Sequence, residues 1–261
     1  MKKTIEFTNP INIKSSIRNV KKVLEKSVSL HGPGVNTEKI CKSLKKKYNF
    51  KNILLTNSCT SALEISSIVI GFEKGDEVIM PSYTFITTGG SFARTKAKIV
   101  YCDIDRKNLM PTFSDIKSKV TKKTKAIVIV HYQGFCVEYL LELKKFCKKK
   151  NIILVEDAAQ AIGTKFKNKY LGTIGDMSCF SFHHTKNIHS GIGGCLVINN
   201  PKFIKKSVFA HDKGSDRTLQ TKNLVKWYSW VSLGSSFLMS ELHASYLYPQ
   251  ISCYKDVIMK S

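Results

Sequence analysis

The hydrophobic positions of this chain fall into short continuous runs, separated by stretches in which apolar residues recur every three or four places. The runs Ile53–Leu55, Val78–Met80, Ile99–Tyr101, Ala126–Val130, Ile152–Val155, Cys179–Phe182 and Leu196–Ile198 show almost no polar alternation, which predicts strands buried on both faces. The periodic stretches predict helices over roughly Thr60–Gly71, Thr84–Thr95 and Glu138–Lys150. In the last of these, Leu140, Leu141, Leu143, Phe146 and Cys147 mark one apolar face, and Gly71 and Asn151 read as helix stops. Strands alternating with helices predict an α/β domain with a mainly parallel central sheet flanked by helices, and such sheets bind ligands beyond the carboxyl ends of their strands. One more helix is predicted over Phe237–Tyr248, with little sequence after it to build a second domain.

Composition adjusts this picture only slightly. A chain of 261 residues suffices for one large domain, or for one domain and part of another. No apolar run approaches a membrane span, and Lys2 and Lys3 are not followed by a signal-type stretch, so the expected location is the cytoplasm. The formal net charge of +23 raises the possibility of a basic nucleic-acid-binding protein. Of the 42 basic residues, however, only Arg18, Arg94, Arg106 and Arg217 are arginine, which leaves 38 lysines spread over the whole length. Sequence-specific DNA readers lean on arginine, so no nucleic-acid partner is expected, although the charge should attract anionic substrates. The eight cysteines contain no Cys-x-x-Cys pair, which excludes a zinc ribbon or thioredoxin-type motif and points to reduced, structural thiols.

The chemistry concentrates around Lys186, in Ser181-Phe182-His183-His184-Thr185-Lys186-Asn187, and around Asp157, in Glu156-Asp157-Ala158-Ala159-Gln160. A lysine just after one strand and a carboxylate ending another can hold pyridoxal phosphate (PLP) from opposite sides. The amine bonds the cofactor aldehyde, and the carboxylate keeps the pyridine nitrogen protonated. A carboxylate closing an apolar strand is costly to bury without such a partner. Asn57-Ser58-Cys59-Thr60-Ser61, between a strand and a helix, offers hydroxyls and helix N-terminal N–H groups to a phosphate; a plain N-cap is the simpler reading. Ser181 is a second phosphate candidate. Phe85, in Pro81-Ser82-Tyr83-Thr84-Phe85, either stacks on a flat cofactor ring or is an ordinary core aromatic. Gln160 either reaches the phenolic oxygen of the cofactor or caps a loop. His183, His184 and His189 surround Lys186 without a recognised metal-ligand spacing, so no metal is expected. No Gly-x-Ser-x-Gly elbow is present, and Gly191-Ile192-Gly193-Gly194 is not a dinucleotide fingerprint; it reads as a loop that lets the backbone pass close to the cofactor or a neighbouring subunit.

In this order the motifs resemble the DegT/DnrJ/EryC1/StrS sugar aminotransferase family, over about Phe7 to Gln250. The likeness rests on Asn57–Leu63, Gly75–Phe85, Glu156–Gln160, Leu171–Gly175 and Ser181–Asn187, and for the subgroup on Lys213–Arg217, Tyr228–Trp230 and Gly234–Ser240. The subgroup is the one that aminates dTDP-4-keto-6-deoxyglucose to dTDP-4-amino-4,6-dideoxygalactose for surface polysaccharide synthesis.

The resemblance implies the aspartate-aminotransferase type of PLP-dependent fold (fold type I) and a homodimer with active sites at its interface. It makes Lys186 the lysine that bonds the cofactor and Asp157 the partner of the pyridine nitrogen. Phe85 takes the ring-stacking position, Thr60 (with Cys59 beside it) and Ser181 the phosphate positions, and Gln160 the position near the phenolic oxygen. Ser236 falls where the second subunit contacts the phosphate, and Lys213, Arg217 and Tyr83 are substrate candidates. Glutamate would leave its amino group on the cofactor and depart as 2-oxoglutarate; the group would then pass to the C4 ketone of the nucleotide sugar, with Lys186 moving the proton. A branch of the family that dehydrates sugars has histidine at the lysine position, and Lys186 argues against it. Ile192 departs from the glutamate common in the family's glycine turn. By the same resemblance, residues 1–236 form a large cofactor-binding domain and 237–261 begin a helix leading to a small C-terminal domain that this sequence lacks. Two readings follow: an enzyme completed by a separately encoded C-terminal piece, or a truncated remnant that binds cofactor without turnover. A GDP-linked 4-keto-6-deoxymannose substrate needs the same chemistry.

Overall fold

A computed structural model describes residues 13–26 and 29–253. Its centre is a seven-stranded sheet built from β1 (Asn52–Thr56), β2 (Glu77–Pro81), β3 (Lys98–Cys102), β4 (Thr124–Val130), β5 (Ile153–Asp157), β8 (Met177–Ser181) and β9 (Gly194–Ile198). The short strands β6 (Lys165–Phe166) and β7 (Lys169–Tyr170) form a separate hairpin. The order across the main sheet is β1-β9-β8-β5-β4-β2-β3. β9 pairs antiparallel with both of its neighbours, whereas the pairings among β8, β5, β4, β2 and β3 are parallel.

Successive strand residues face opposite sides of a sheet, and both sides are covered here. Ile127, Ile129 and Leu154 pack with Ile40 and Leu44 of α2 (Val35–Tyr48), with Leu140 and Leu143 of α6 (Leu140–Lys150), and with Leu247 and Ile251 of α9 (Glu241–Ser252). Ala126, Val128 and Val155 pack with Leu63 and Ile65 of α3 (Cys59–Ile70), Phe92 of α4 (Ile86–Ala93) and Ala210 of α7 (Ile204–His211). The result is a three-layer helix–sheet–helix domain. It is completed by α1 (Lys14–Lys26), which packs on α9, and by the short helices α5 (Phe113–Lys119) and α8 (Arg217–Gln220).

The expected strands are all present, shifted by a residue or two: Ile152 lies outside β5 and Phe182 outside β8. Gly71 (φ 71°) and Asn151 (φ 57°) end α3 and α6 in the left-handed conformation that closes a helix. The helix expected over Phe237–Tyr248 begins later. Asn57 N–H donates to Phe237 O (2.9 Å) and Met239 N–H to Leu55 O (3.3 Å), so this stretch is held along β1. Only from Ser240, whose hydroxyl accepts from His243 N–H, does the chain turn helical, through Ser252. Gly34 opens α2, and Glu241, at the first position of α9, caps that helix: its carboxylate accepts from Asn36 N (2.9 Å), Asn36 Nδ2 (3.0 Å) and Thr37 N (2.9 Å).

Candidate active site

The carboxyl ends of β2, β4, β5 and β8 converge on a cavity of about 470 Å³. Lys186, Asp157, Gln160, Phe85, Ser181, Thr60 and Cys59 all line it. A wider cleft of about 730 Å³ at the opposite end of the strands, edged by Lys51, Lys148 and Lys202, holds none of these groups.

Asp157 closes β5 and is 4% exposed. Its Oδ2 accepts from the Thr88 hydroxyl (2.7 Å) and its Oδ1 from Ala159 N–H (3.2 Å). Thr88 is in turn buried in the first turn of α4, where it accepts from Thr84 Oγ1 (2.9 Å). Burial pushes the Asp157 carboxyl above the ordinary carboxylate range, against the pull of Thr88 and the Ala159 N–H. Lys186 is half-buried across the same cavity, and burial holds its amine below the usual lysine range, with Asp157 pulling the other way. Burial likewise drives the Cys59 thiol well above its ordinary value, so it stays protonated.

At the cavity floor Ser58 caps α3, its hydroxyl accepting from Ser61 N–H (3.0 Å). The first N–H groups of a helix have no intrahelical acceptor, which makes the start of α3 at Cys59 and Thr60 receptive to an anion. The capping and phosphate readings of this run are therefore compatible. The glycine loop presses against this point: a Cβ on Gly194 would lie 2.5 Å from Cys59 N, so only glycine fits there. Gln160 Oε1 accepts from Gln133 N–H, which leaves the amide NH₂ as its unused end. Phe85 is 65% exposed at the rim, which rules out the core-aromatic alternative.

His131, which follows β4, was not singled out from the sequence, nor was Thr88. His131 is buried and lines the cavity; its Nε2 meets Glu156 Oε2 at 2.9 Å, and its Nδ1 is buried with no hydrogen-bond partner among the described residues. The signal for both lay in position: Thr88 is one helical turn past Phe85, and His131 sits at the carboxyl end of a parallel strand. Of the substrate candidates, Tyr83 packs at a tilt of 52° against the cavity-lining Tyr132, with ring centroids 4.8 Å apart. Lys213 pairs with Asp212 (2.7 Å), and Arg217 lies 6.0 Å from the Tyr228 ring; both stand outside the cavity. Ser236 is also outside it, its carbonyl accepting from Asn57 Nδ2 (3.1 Å). His183 Nδ1 lies 3.0 Å from Thr185 Oγ1, and His189 Nδ1 accepts from Gly191 N–H (3.4 Å). Ile192 is half exposed at the cavity edge.

Residues 10–260 match the DegT/DnrJ/EryC1/StrS aminotransferase family. The chain belongs to that family. It is 34% identical to the GDP-perosamine synthase of Escherichia coli O157:H7 over 203 residues, 77% of this chain and 53% of that protein. It is 31% identical to the dTDP-4-dehydro-2,3,6-trideoxy-D-glucose 4-aminotransferase of Saccharopolyspora spinosa over 157 residues, 60% of this chain and 40% of that one. The chain thus spans about half the length of the curated relatives it matches. Its fold superposes on Spr1654 of Streptococcus pneumoniae in the PMP form with a TM-score of 0.88, at 25% identity, covering 98% of this chain and 69% of that one. The fold is therefore the PLP-dependent transferase fold, and the family's aminotransferases depend on PLP.

The cavity of this family member suits that cofactor. Asp157 is a buried carboxyl short of donors, and the orphaned His131 Nδ1, the unused Gln160 NH₂ and the uncovered Phe85 ring all border the same space.

Proposed function

We propose that this chain is the cofactor-binding part of an aminotransferase that moves the amino group of glutamate to C4 of a nucleotide-linked 4-keto-6-deoxy sugar, dTDP-4-keto-6-deoxyglucose first among them. The observation that carries this reading is Lys186 and Asp157 facing one cavity from two strand ends, each with its charged form disfavoured by burial. PLP, when bound, supplies an aldehyde for the amine and a ring that accepts electrons from the substrate carbon. The protein does the rest. Asp157 keeps a proton on the ring nitrogen and in return gains the cationic partner its burial demands. The start of α3, with Thr60 and Ser181, binds the phosphate; Gln160 donates to the phenolic oxygen; Phe85 covers one ring face. Lys186, with an amine biased towards its neutral form, moves a proton between the substrate carbon and the cofactor carbon, which requires a free electron pair.

In this reading residues 1–236 are the large domain and 237–261 lead towards a smaller one. A second copy of the chain completes the site near Ser236, and the protein works in the cytoplasm; no helix of the described residues is long and apolar enough to cross a membrane. GDP-4-keto-6-deoxymannose is the second substrate reading, favoured by the match to GDP-perosamine synthase, which covers more of this chain than the dTDP-sugar relative does.

The test is the visible absorption of the purified chain with PLP, before and after glutamate. A band that Lys186→Ala abolishes and glutamate bleaches supports the reading, and dTDP- and GDP-linked keto sugars that restore the band then discriminate the substrate. A lysine-dependent band that glutamate leaves untouched identifies a cofactor-binding remnant. No band at all sinks the proposal.

A further inference from the structure

The loop between β8 and β9 carries Lys186, and its base is tied by Phe182 N–H to Gly193 O (2.8 Å) and Ser190 N–H to Phe182 O (2.9 Å). Between these ties and the lysine, His189 has no strand beside it. Its backbone is paired instead by one side chain from α9. His189 N–H donates to Gln250 Oε1 (3.0 Å), and Gln250 Nε2 donates to His189 O (2.7 Å) and to Tyr246 O (3.1 Å). Gln250 is fully buried, and a side-chain amide that takes both backbone groups of one residue imitates a neighbouring strand. The ring of His189 also packs on that of Tyr246, with centroids 5.4 Å apart. At its other end α9 is fixed by the Glu241 carboxylate on the N-terminus of α2, and along its length by buried Ala244, Leu247 and Ile251. The helix thus reaches from α2 to a point three residues past the lysine.

We infer that Gln250 is a positioning residue for Lys186: through the two backbone bonds to His189 it sets where the amine stands in the cavity relative to Asp157. This rests on Lys186 being the reacting amine. A glutamine has the reach and the paired donor and acceptor that the task needs. Leucine has neither, and glutamate can accept from His189 N–H but sets a charge against His189 O.

The experiment compares Gln250→Leu, Gln250→Glu and, as a control lesion of the same helix, Leu247→Ala in the full chain. Two readouts are followed beside the urea midpoint. The first is the rate of reductive methylation of Lys186 by formaldehyde and cyanoborohydride as a function of pH, read by peptide mass spectrometry in cofactor-free protein. The second is the rate at which the visible PLP band forms. Both Gln250 variants are expected to move the pH midpoint of Lys186 methylation and to slow band formation at least about tenfold, since small misplacements of reacting groups carry large rate penalties. Leu247→Ala is expected to lower the urea midpoint and leave both readouts in place. The inference is overturned if folded Gln250→Glu methylates and binds like the parent, or if Leu247→Ala reproduces the Gln250 phenotype. Should the parent chain form no PLP band, the proposed function falls, while a Gln250-dependent methylation profile would still uphold the positioning role.

Discussion

Glu156 and Asp157 are consecutive carboxylates at the end of β5, both buried, and they face opposite sides of the sheet. On one side Glu156 accepts from His131 Nε2 (2.9 Å), Gly172 N (2.9 Å), Ile174 N (2.9 Å), Gly175 N and Ser178 Oγ (3.1 Å). Burial would raise its pKa, but His131 and the backbone donors reverse that and hold it below the ordinary value. On the other side Asp157 receives, among the described residues, only Thr88 and Ala159, and burial keeps the upper hand. Two acids with the same strand, depth and charge thus differ in one respect, whether the protein finishes solvating them. The finished one organises the fold, and the unfinished one waits for a ligand.

The largest expected contrast comes from neutralising each acid in turn. Glu156→Gln places an amide among five donors and should cost about 3–5 kcal/mol in urea denaturation, as for a buried charge network broken at one member. Asp157→Asn should change the stability of the cofactor-free chain by less than about 1 kcal/mol, yet weaken PLP binding by about two orders of magnitude, measured by absorbance titration, because the buried cation loses its partner. If the two variants unfold alike, the contrast between a finished and an unfinished site is broken.

The pH dependence should divide the same way. The depressed pKa of Glu156 gives stability that is present above its unfolded value of 4.5 and lost as pH falls through the lower folded value. The raised pKa of Asp157 works in the opposite sense: its contribution is present below 3.8 and lost as pH rises through the folded value. Relative to the parent, Asp157→Asn should therefore gain urea stability as pH rises from 3.8, and Glu156→Gln should lose it as pH rises towards and past 4.5. Thr88→Val is a smaller probe. It removes one of the two donors and should lower PLP affinity about tenfold, within the cost of about 1–3 kcal/mol for an orphaned buried acceptor. Phe85→Ala should be the mildest for the fold. With the ring on the surface, stability should stay within about 0.5 kcal/mol while PLP binding weakens, read by the same titration.

Much of this was legible in the chain. The strands showed themselves because sheets covered on both faces need continuous apolar runs, as in Ala126–Val130. By contrast α2, with Ile40, Leu44 and Tyr48 buried along one face, is hidden in the sequence because lysines dilute its pattern, and apolar Phe237–Met239 reads as helix although it lies along β1. In the candidate site, Lys186, Asp157 and Phe85 stood in recognisable runs and do meet at one cavity. Thr88 and His131 had no such run. Their place depends on β5 lying between β4 and β8, and on Thr88 of α4 meeting Asp157 at the end of β5, which are facts of spatial rather than of sequence order.

The sheet order has a consequence for how the chain reaches this state. β1 joins the sheet only through β9, pairing Asn52 with Ile198 and Thr56 with Gly194, partners separated by more than half the chain. The phosphate-receptive start of α3 follows β1, while Lys186 precedes β9, so the cavity closes only when this long-range pairing forms. Non-local pairings form slowly. Refolding should therefore pass first through the contiguous β2–β8 part of the sheet, and the ability to take up cofactor should be the last property the molecule acquires.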